Sequence, residues 1–244
     1  MNSRARQEIQ SGRNLESGLY VSSFSTLFLF AKDRDYCAEN QGEKIPRAIL
    51  DDASPGILTV EQARALLNTR KEDPETLSYV AMGLFAGLRR SELCALEWSE
   101  VDLNVGTIEV KGVKAKTRQR RIVSISDNLA SWLSIAPKTS SPAPSCNEDV
   151  CGERLKNIYS ERRDDAGAVI RKPIVSAWPH NALRHSFGSY HYAKHRDENS
   201  TAAEMGNSPG VVFRHYRAVV KPEAATSFWK LLPDQAVNVI GFAA

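Results

Sequence analysis

Apolar residues recur at helical spacing along most of this chain and alternate at strand spacing in one place only. From Leu19 to about Glu39, the positions Leu19, Phe24, Leu27, Phe28, Phe30 and Ala31 predict a helix with a broad apolar face. Residues 1–18 are polar and aperiodic and read as a disordered lead-in. Residues 40–56, punctuated by Pro46 and Pro55, read as a linker. Thr59-Val60-Glu61-Gln62 is a capping box that starts a helix at Val60, running to about Asn68. Asp73-Pro74 opens another, whose apolar side is Leu77, Val80, Ala81, Leu84 and Phe85, with Gly87 as its stop.

Thr107 to Lys111 and Arg121 to Ile125 alternate across a polar turn, which predicts a β-hairpin. Helices are predicted at Asp127–Ile135 and at Cys151–Asp165, separated by a Ser/Pro-rich loop over 137–147. Pro173 and Pro179 bracket an extended approach to a helix beginning near Asn181. Thr201 to Met205 reads as helix. Ser208-Pro209 reads as an N-cap and first helical residue, opening a short helix that carries Tyr216. Pro222 to Leu232 is the last helix. The fold class that follows is mainly α with a small antiparallel β-sheet (α+β).

Composition narrows the function less than pattern does. The 244 residues are 42% hydrophobic and 25% charged, ordinary for a globular protein. The apolar run around Leu27 to Ala31 is too short to span a bilayer. A net charge of +3 permits a nucleic-acid partner without demanding one, so local clustering decides. Cys37, Cys94, Cys146 and Cys151 lack zinc-ribbon spacing, and Met1 to Arg6 is no signal peptide. The expectation is reduced thiols in a cytoplasmic protein with no metal site and no membrane association.

Candidate chemistry concentrates between Trp178 and Tyr216. The run Trp178-Pro179-His180-Asn181-Ala182-Leu183-Arg184-His185 sets Asn181 and Arg184 three apart, on one helical face. Met205-Gly206-Asn207-Ser208-Pro209 follows, then Arg214-His215-Tyr216-Arg217. A guanidinium forks onto phosphate oxygens, and a phenol attacks phosphorus once its proton leaves, so the segment suits a phosphodiester. Upstream, Gly87-Leu88-Arg89-Arg90-Ser91-Glu92-Leu93 supplies another arginine and an acid. Lys111, Lys114, Lys116, Arg118, Arg120 and Arg121 make the hairpin basic, with no acid from 111 to 121. Gly206-Asn207-Ser208-Pro209-Gly210 matches Gly-x-Ser-x-Gly formally, but a nucleophile elbow needs a strand before it, and 201–205 reads as helix. His191 and His195 stand four apart without a third ligand and read as packing or surface residues.

In order and spacing these motifs resemble the tyrosine recombinase (phage integrase) catalytic domain over roughly residues 57–230. The family's first arginine box, Gly-Leu-Arg-x-x-Glu-Leu, stands here with Arg89 at the phosphate-binding arginine and Glu92 at the supporting acid. His-x-x-Arg stands as Asn181-Ala182-Leu183-Arg184, and the Leu-Gly-His/Trp step as Met205-Gly206-Asn207. Tyr216 falls at the nucleophile's offset. The resemblance places a catalytic lysine on the hairpin, at Lys116 or alternatively Lys114. It implies domains of 19–56 (a remnant helix of a DNA-gripping domain, plus linker), 57–232 (catalytic) and 233–244 (tail).

What the resemblance implies chemically is a site-specific recombinase working on double-stranded DNA, without cofactor, metal or small-molecule substrate. Arg89 and Arg184 would hold the phosphate, Tyr216 would form a 3′-phosphotyrosyl bond, and Lys116 would protonate the leaving 5′-oxygen. Lys111, Lys114, Arg118, Arg120, Arg121, Arg214 and Arg217 would grip DNA, as protomers assemble into homo-oligomers on it. Such a protein is expected in the cytoplasm with the nucleoid, of bacterial or phage type. The departures are the asparagines. An amide cannot accept a phenol's proton, so Asn181 and Asn207 leave hydrogen bonding. The resemblance implies that His185, which follows Arg184 as in the family's Arg-His pair, buttresses the site by hydrogen bonding and not by direct chemistry; His180 or His185 as substitute base is the alternative. A non-catalytic, degenerate DNA-binding integrase is the alternative, and type IB topoisomerase-like relaxation a third reading.

Overall fold

The computed structural model describes residues 20–21, 23–45, 54–69, 72–112, 120–145, 147–217 and 219–234. The chain divides into two compact units, Met1–Ala53 and Ser54–Ala244. In the first, residues 20–21 and 23–32 form helix α1, which stops seven residues short of the expected end near Glu39. Asp35 takes a positive φ of 57° and turns the chain, and Asn40 then caps a 3₁₀ turn over Gln41–Lys44 through its side chain. Tyr20, Phe24, Leu27, Leu29 and Phe30 of α1 are exposed.

The second unit is built around α3 (Leu77–Phe85), in which every residue is buried. Such a helix is apolar all round because it is packed on all sides. Against it lie α2 (Val60–Asn68), α4 (Arg90–Ala95), α5 (Asp127–Ile135) and α7 (Ala182–His195). Each buried Leu or Phe side chain there contributes about 1.5–3 kcal/mol. Thr59 and Gln62 exchange hydrogen bonds in the predicted capping box of α2. The approach of α3 to α7 depends on small residues: a Cβ at Gly83 would lie 2.7 Å from Leu183 Cδ1. α10 (Pro222–Trp229) closes the core, stacking Phe228 on Tyr190 at 3.9 Å. It ends three residues before the expected Leu232.

A three-stranded antiparallel sheet flanks the helices in the order β1 (Val101–Asp102), β2 (Thr107–Val110), β3 (Arg121–Ser124). The β2–β3 hairpin is the predicted one, with Val110 opposite Arg121; β1 is an addition. The reading of 151–165 needs correction at both ends. α6 spans Glu148–Tyr159 because Asn147 caps it from its side chain, and the chain then turns into a second hairpin. β4 (Arg162–Arg163) pairs with β5 (Val169–Arg171) there. That hairpin has no alternating apolar face, which hid it from pattern. α8 (Glu198–Met205) and α9 (Pro209–Tyr216) follow α7 as a tight helical pair. Ser208 holds the N-cap position of α9, but its side chain makes no capping bond.

Candidate active site

Two arginines distant in sequence converge on the end of α8. Arg89 is the N-cap residue of α4, and Glu92, at the third helical position, accepts its backbone N–H at 2.8 Å. The same carboxylate accepts Arg89 Nη1 at 2.8 Å, leaving Nη2 to reach the Gly206 carbonyl at 2.6 Å. Arg184, one turn into α7, donates through Nη1 to the Gly87 carbonyl at 2.5 Å and through Nη2 to that of Met205 at 2.7 Å. Two glycines shape these anchors. Gly87 has φ of 61°, and a Cβ on it would meet Phe187 Cδ1 at 2.3 Å. Gly206, the C-cap of α8, has φ of 62°.

Asn207 joins the two guanidinia. Its Oδ1 accepts from Arg184 Nη2 at 3.0 Å and from Arg89 Nη2 at 3.2 Å. With the amide oxygen committed this way, the Nδ2 group is the end that can donate to an incoming oxyanion.

Arg121 does not sit on the surface as Lys111 and Arg120 do. Its side chain is 10% exposed and forks onto Glu92 at 2.9 and 2.7 Å, while its Nε donates to the Glu204 carbonyl at 3.1 Å. Glu204 also accepts from the backbone and hydroxyl of Ser124, fastening α8 to β3. Glu92 is 1% exposed. Burial would raise its carboxyl, but the hydrogen bonds from Arg121 and Arg89 outweigh that and hold it at about 2. Two guanidinia, those of Arg89 and Arg121, thus share one carboxylate, and with Arg184 beside them the cluster keeps a net positive charge. Burial, followed by the charge of Arg89, lowers Arg184 to about 10, so it stays protonated at neutral pH.

Tyr216 closes the arrangement from the last turn of α9. It is 3% exposed, and its ring fits because α7 carries Gly188 there: a Cβ at 188 would lie 3.0 Å from Tyr216 Cε1. Burial raises its phenol above the ordinary value, against the lowering effect of Arg184 and Arg89. His185, next to Arg184 on α7, meets Tyr216 Oη through Nδ1 at 2.9 Å. Burial, then the positive charge of Arg184, lowers His185 to about 4.

The remaining predicted residues are spread more widely. Asn181 is exposed at the N-cap of α7 in the left-handed conformation, φ 50°, and its Nδ2 lies 3.2 Å from His180 Nδ1. Both line a cavity of about 590 Å³ together with Arg89, Arg90, Trp178 and Arg184. Asn181 therefore reaches the same space as Arg184, though not the same bonds. Lys111 pairs with Glu100, and Arg120 with Glu109. Arg214 and Arg217 are exposed, Arg217 lying over the Phe213 ring at 4.6 Å, and neither is among the charges acting on Tyr216. Lys114, Lys116 and Arg118 lie outside the described residues. His191 is buried and bonded to Thr201 Oγ1 at 2.8 Å, a packing role. No cluster of three or more His, Cys, Asp or Glu able to hold a metal occurs among the described residues, and none of their helices is long and apolar enough to cross a membrane.

The Phage integrase family model matches residues 57–219, and the chain belongs to that family. It is 35% identical over 130 residues to Tyrosine recombinase XerA of Thermococcus kodakarensis, covering 51% of this chain and 42% of that protein. To Tyrosine recombinase XerC of Thermodesulfovibrio yellowstonii it is 26% identical over 184 residues, 70% of this chain and 60% of the other. The chain thus spans less than two thirds of these relatives. Among solved structures, a lambda integrase (75–356) dimer bound to a COC′ core site superposes with a TM-score of 0.56 at 15% identity. That likeness, over 87% of this chain and 76% of the other, is one of fold.

Proposed function

We propose that this chain breaks and rejoins double-stranded DNA as a site-specific recombinase. Tyr216 would be the nucleophile and the 3′-phosphotyrosyl linkage the intermediate. The observation that carries the reading is the meeting of Arg89 and Arg184 on Asn207 Oδ1, with the Tyr216 phenol bonded to the residue beside Arg184. A phosphodiester seated there receives two guanidinia as charge grows on its non-bridging oxygens, in a water-poor setting that strengthens each contact. Glu92 and Arg121 hold the first guanidinium in place; Asn207 and Asn181 add amide donors.

Lys116, with Lys114 as its rival, would protonate the 5′-oxygen as it leaves. Both transesterifications then conserve the phosphodiester bond energy, so no cofactor or metal is required. Lys111, Arg118, Arg120, Arg214 and Arg217 supply nonspecific phosphate contacts, and binding weakens steeply with salt. Homo-oligomers on paired sites and a cytoplasmic, nucleoid-associated location belong to the same reading. So does a division into a helix and linker over 19–56 and a catalytic domain over 57–232.

The test is a nicked suicide DNA duplex. A covalent, SDS-resistant adduct that disappears in Tyr216→Phe supports the reading. DNA retained without an adduct under any condition favours a degenerate DNA-binding integrase, a reading motivated by the amide at Asn181 and the buried phenol. Relaxation without strand exchange would instead mark a topoisomerase.

A further inference from the structure

We infer that His185 is the base that takes the phenol proton of Tyr216, so that the base sits one residue beyond Arg184 rather than at Asn181. The inference rests on the reading of Tyr216 as nucleophile. It stands on three observations. First, a buried phenol needs an acceptor for its O–H, and the contact Tyr216 Oη makes is with His185 Nδ1 at 2.9 Å. The nearby guanidinia have no lone pair to offer, and the N–H groups of Arg184 already donate to Gly87, Met205 and Asn207.

Second, the other candidates are turned elsewhere. Asn181 and His180 are exposed and bonded to one another. Third, the groups acting on His185 are Arg184 on its own helix, His180 ahead of that helix, and His215 on α9. All are cations or can become so, and with burial they keep its imidazole neutral and free to accept at neutral pH. The proton would then sit on Nε2, with the Nδ1 lone pair aimed at the phenol.

In the step this assigns, the Tyr216 Oη–phosphorus bond forms as the phosphorus–O5′ bond breaks. The phenol proton passes to His185 Nδ1, and the 5′-oxygen takes one from Lys116. The phosphodiester keeps one negative charge throughout, His185 becomes imidazolium, and the lysine becomes a neutral amine. The arriving phosphate also opposes the effect of Arg184 on His185, making the imidazole more basic when it is needed. Rejoining runs the same transfers backwards.

Two measurements test this. In single-turnover cleavage of suicide DNA, His185→Asn retains an acceptor near the Nδ1 position but cannot take a proton. It is expected to slow adduct formation by ~10²–10⁴-fold with DNA affinity unchanged. Its rate should climb about tenfold per pH unit from 6 to 8, while the wild-type rate stays nearly flat. Adduct formed by His185→Asn within threefold of wild type, with the same pH profile, overturns this inference alone. No adduct from the wild-type protein overturns the underlying reading, and this inference with it. Independently of activity, ¹⁵N NMR of the free protein should show His185 neutral and protonated at Nε2. A proton on Nδ1, donated to Tyr216 Oη, makes His185 an orienting group and overturns the assignment.

Discussion

Asn207 Oδ1 lies within hydrogen-bond reach of both Arg89 Nη2 and Arg184 Nη2, at 3.2 and 3.0 Å. One neutral oxygen therefore sets the spacing of two cations without cancelling either. Asn207→Asp keeps the shape and adds a negative charge where the phosphate should sit. We expect it to preserve or raise thermal stability, because charge-assisted bonds replace neutral ones, while adduct formation falls ~100-fold or more. Asn207→Ala should cost less, roughly tenfold. Melting curves and adduct rates measured on both variants check the order.

Glu92→Gln removes the one carboxylate on which Arg121 and Arg89 lean. Breaking a buried pair while its cation stays buried costs about 3–5 kcal/mol. Urea unfolding should report that loss, and cleavage should fall with it because Arg89 is no longer held. A midpoint unchanged from wild type would show that Arg121 finds water or another partner.

Acid should destabilise the protein in two overlapping steps. Burial, then the charges of His195 and Lys194, lowers His191 to about 3, and burial lowers His185 to about 4, from an unfolded value near 6.5. The unfolded chain then binds more protons, so stability present above pH 6.5 is lost as pH falls toward those values. Glu92, held at about 2 against about 4.3 when unfolded, adds a loss between those two values. Urea midpoints measured across pH 7 to 3 should decline throughout. His191→Asn should flatten the upper part of that decline, and Glu92→Gln the lower.

Two glycine substitutions should act in opposite directions. At Gly188 a Cβ would lie 2.8 Å from Met205 Sδ and 3.0 Å from the Tyr216 ring. Gly188→Ala is expected to destabilise by about 1–3 kcal/mol and to displace the phenol, lowering cleavage. At Gly210 a Cβ meets nothing within 4 Å. Gly210→Ala should stabilise α9 by about 0.5–1 kcal/mol with cleavage retained. Calorimetry and the adduct assay distinguish them.

Local signals in the sequence were reliable where local physics decides. The capping box at Thr59, the stop at Gly87 and the bounds of α5 need only neighbouring residues, and all stand where the pattern puts them. The short second hairpin was illegible because β4 and β5 bury almost nothing, so no alternation marks them. In the site, Arg89, Arg184 and Tyr216 could be named from spacing and resemblance, yet how they are held could not. The carbonyls of Gly87, Met205 and Gly206 carry no side-chain signal. Arg121 read as one more cation in a basic run. One clue stands in the sequence: Glu92 opens onto the apolar run Leu93-Cys94-Ala95-Leu96, and a buried carboxylate wants more hydrogen-bonding partners than Arg89 alone can give.

The fastening of both guanidinia to main-chain oxygens has a consequence for how such a protein can change over generations. A carbonyl is present whatever amino acid is encoded, so mutations at 205 leave the cation pair aimed as before, provided the backbone path survives. Neighbouring polar side chains are then free to drift. An exposed amide such as that of Asn181 can then be exchanged while the electrostatic cradle persists beneath it.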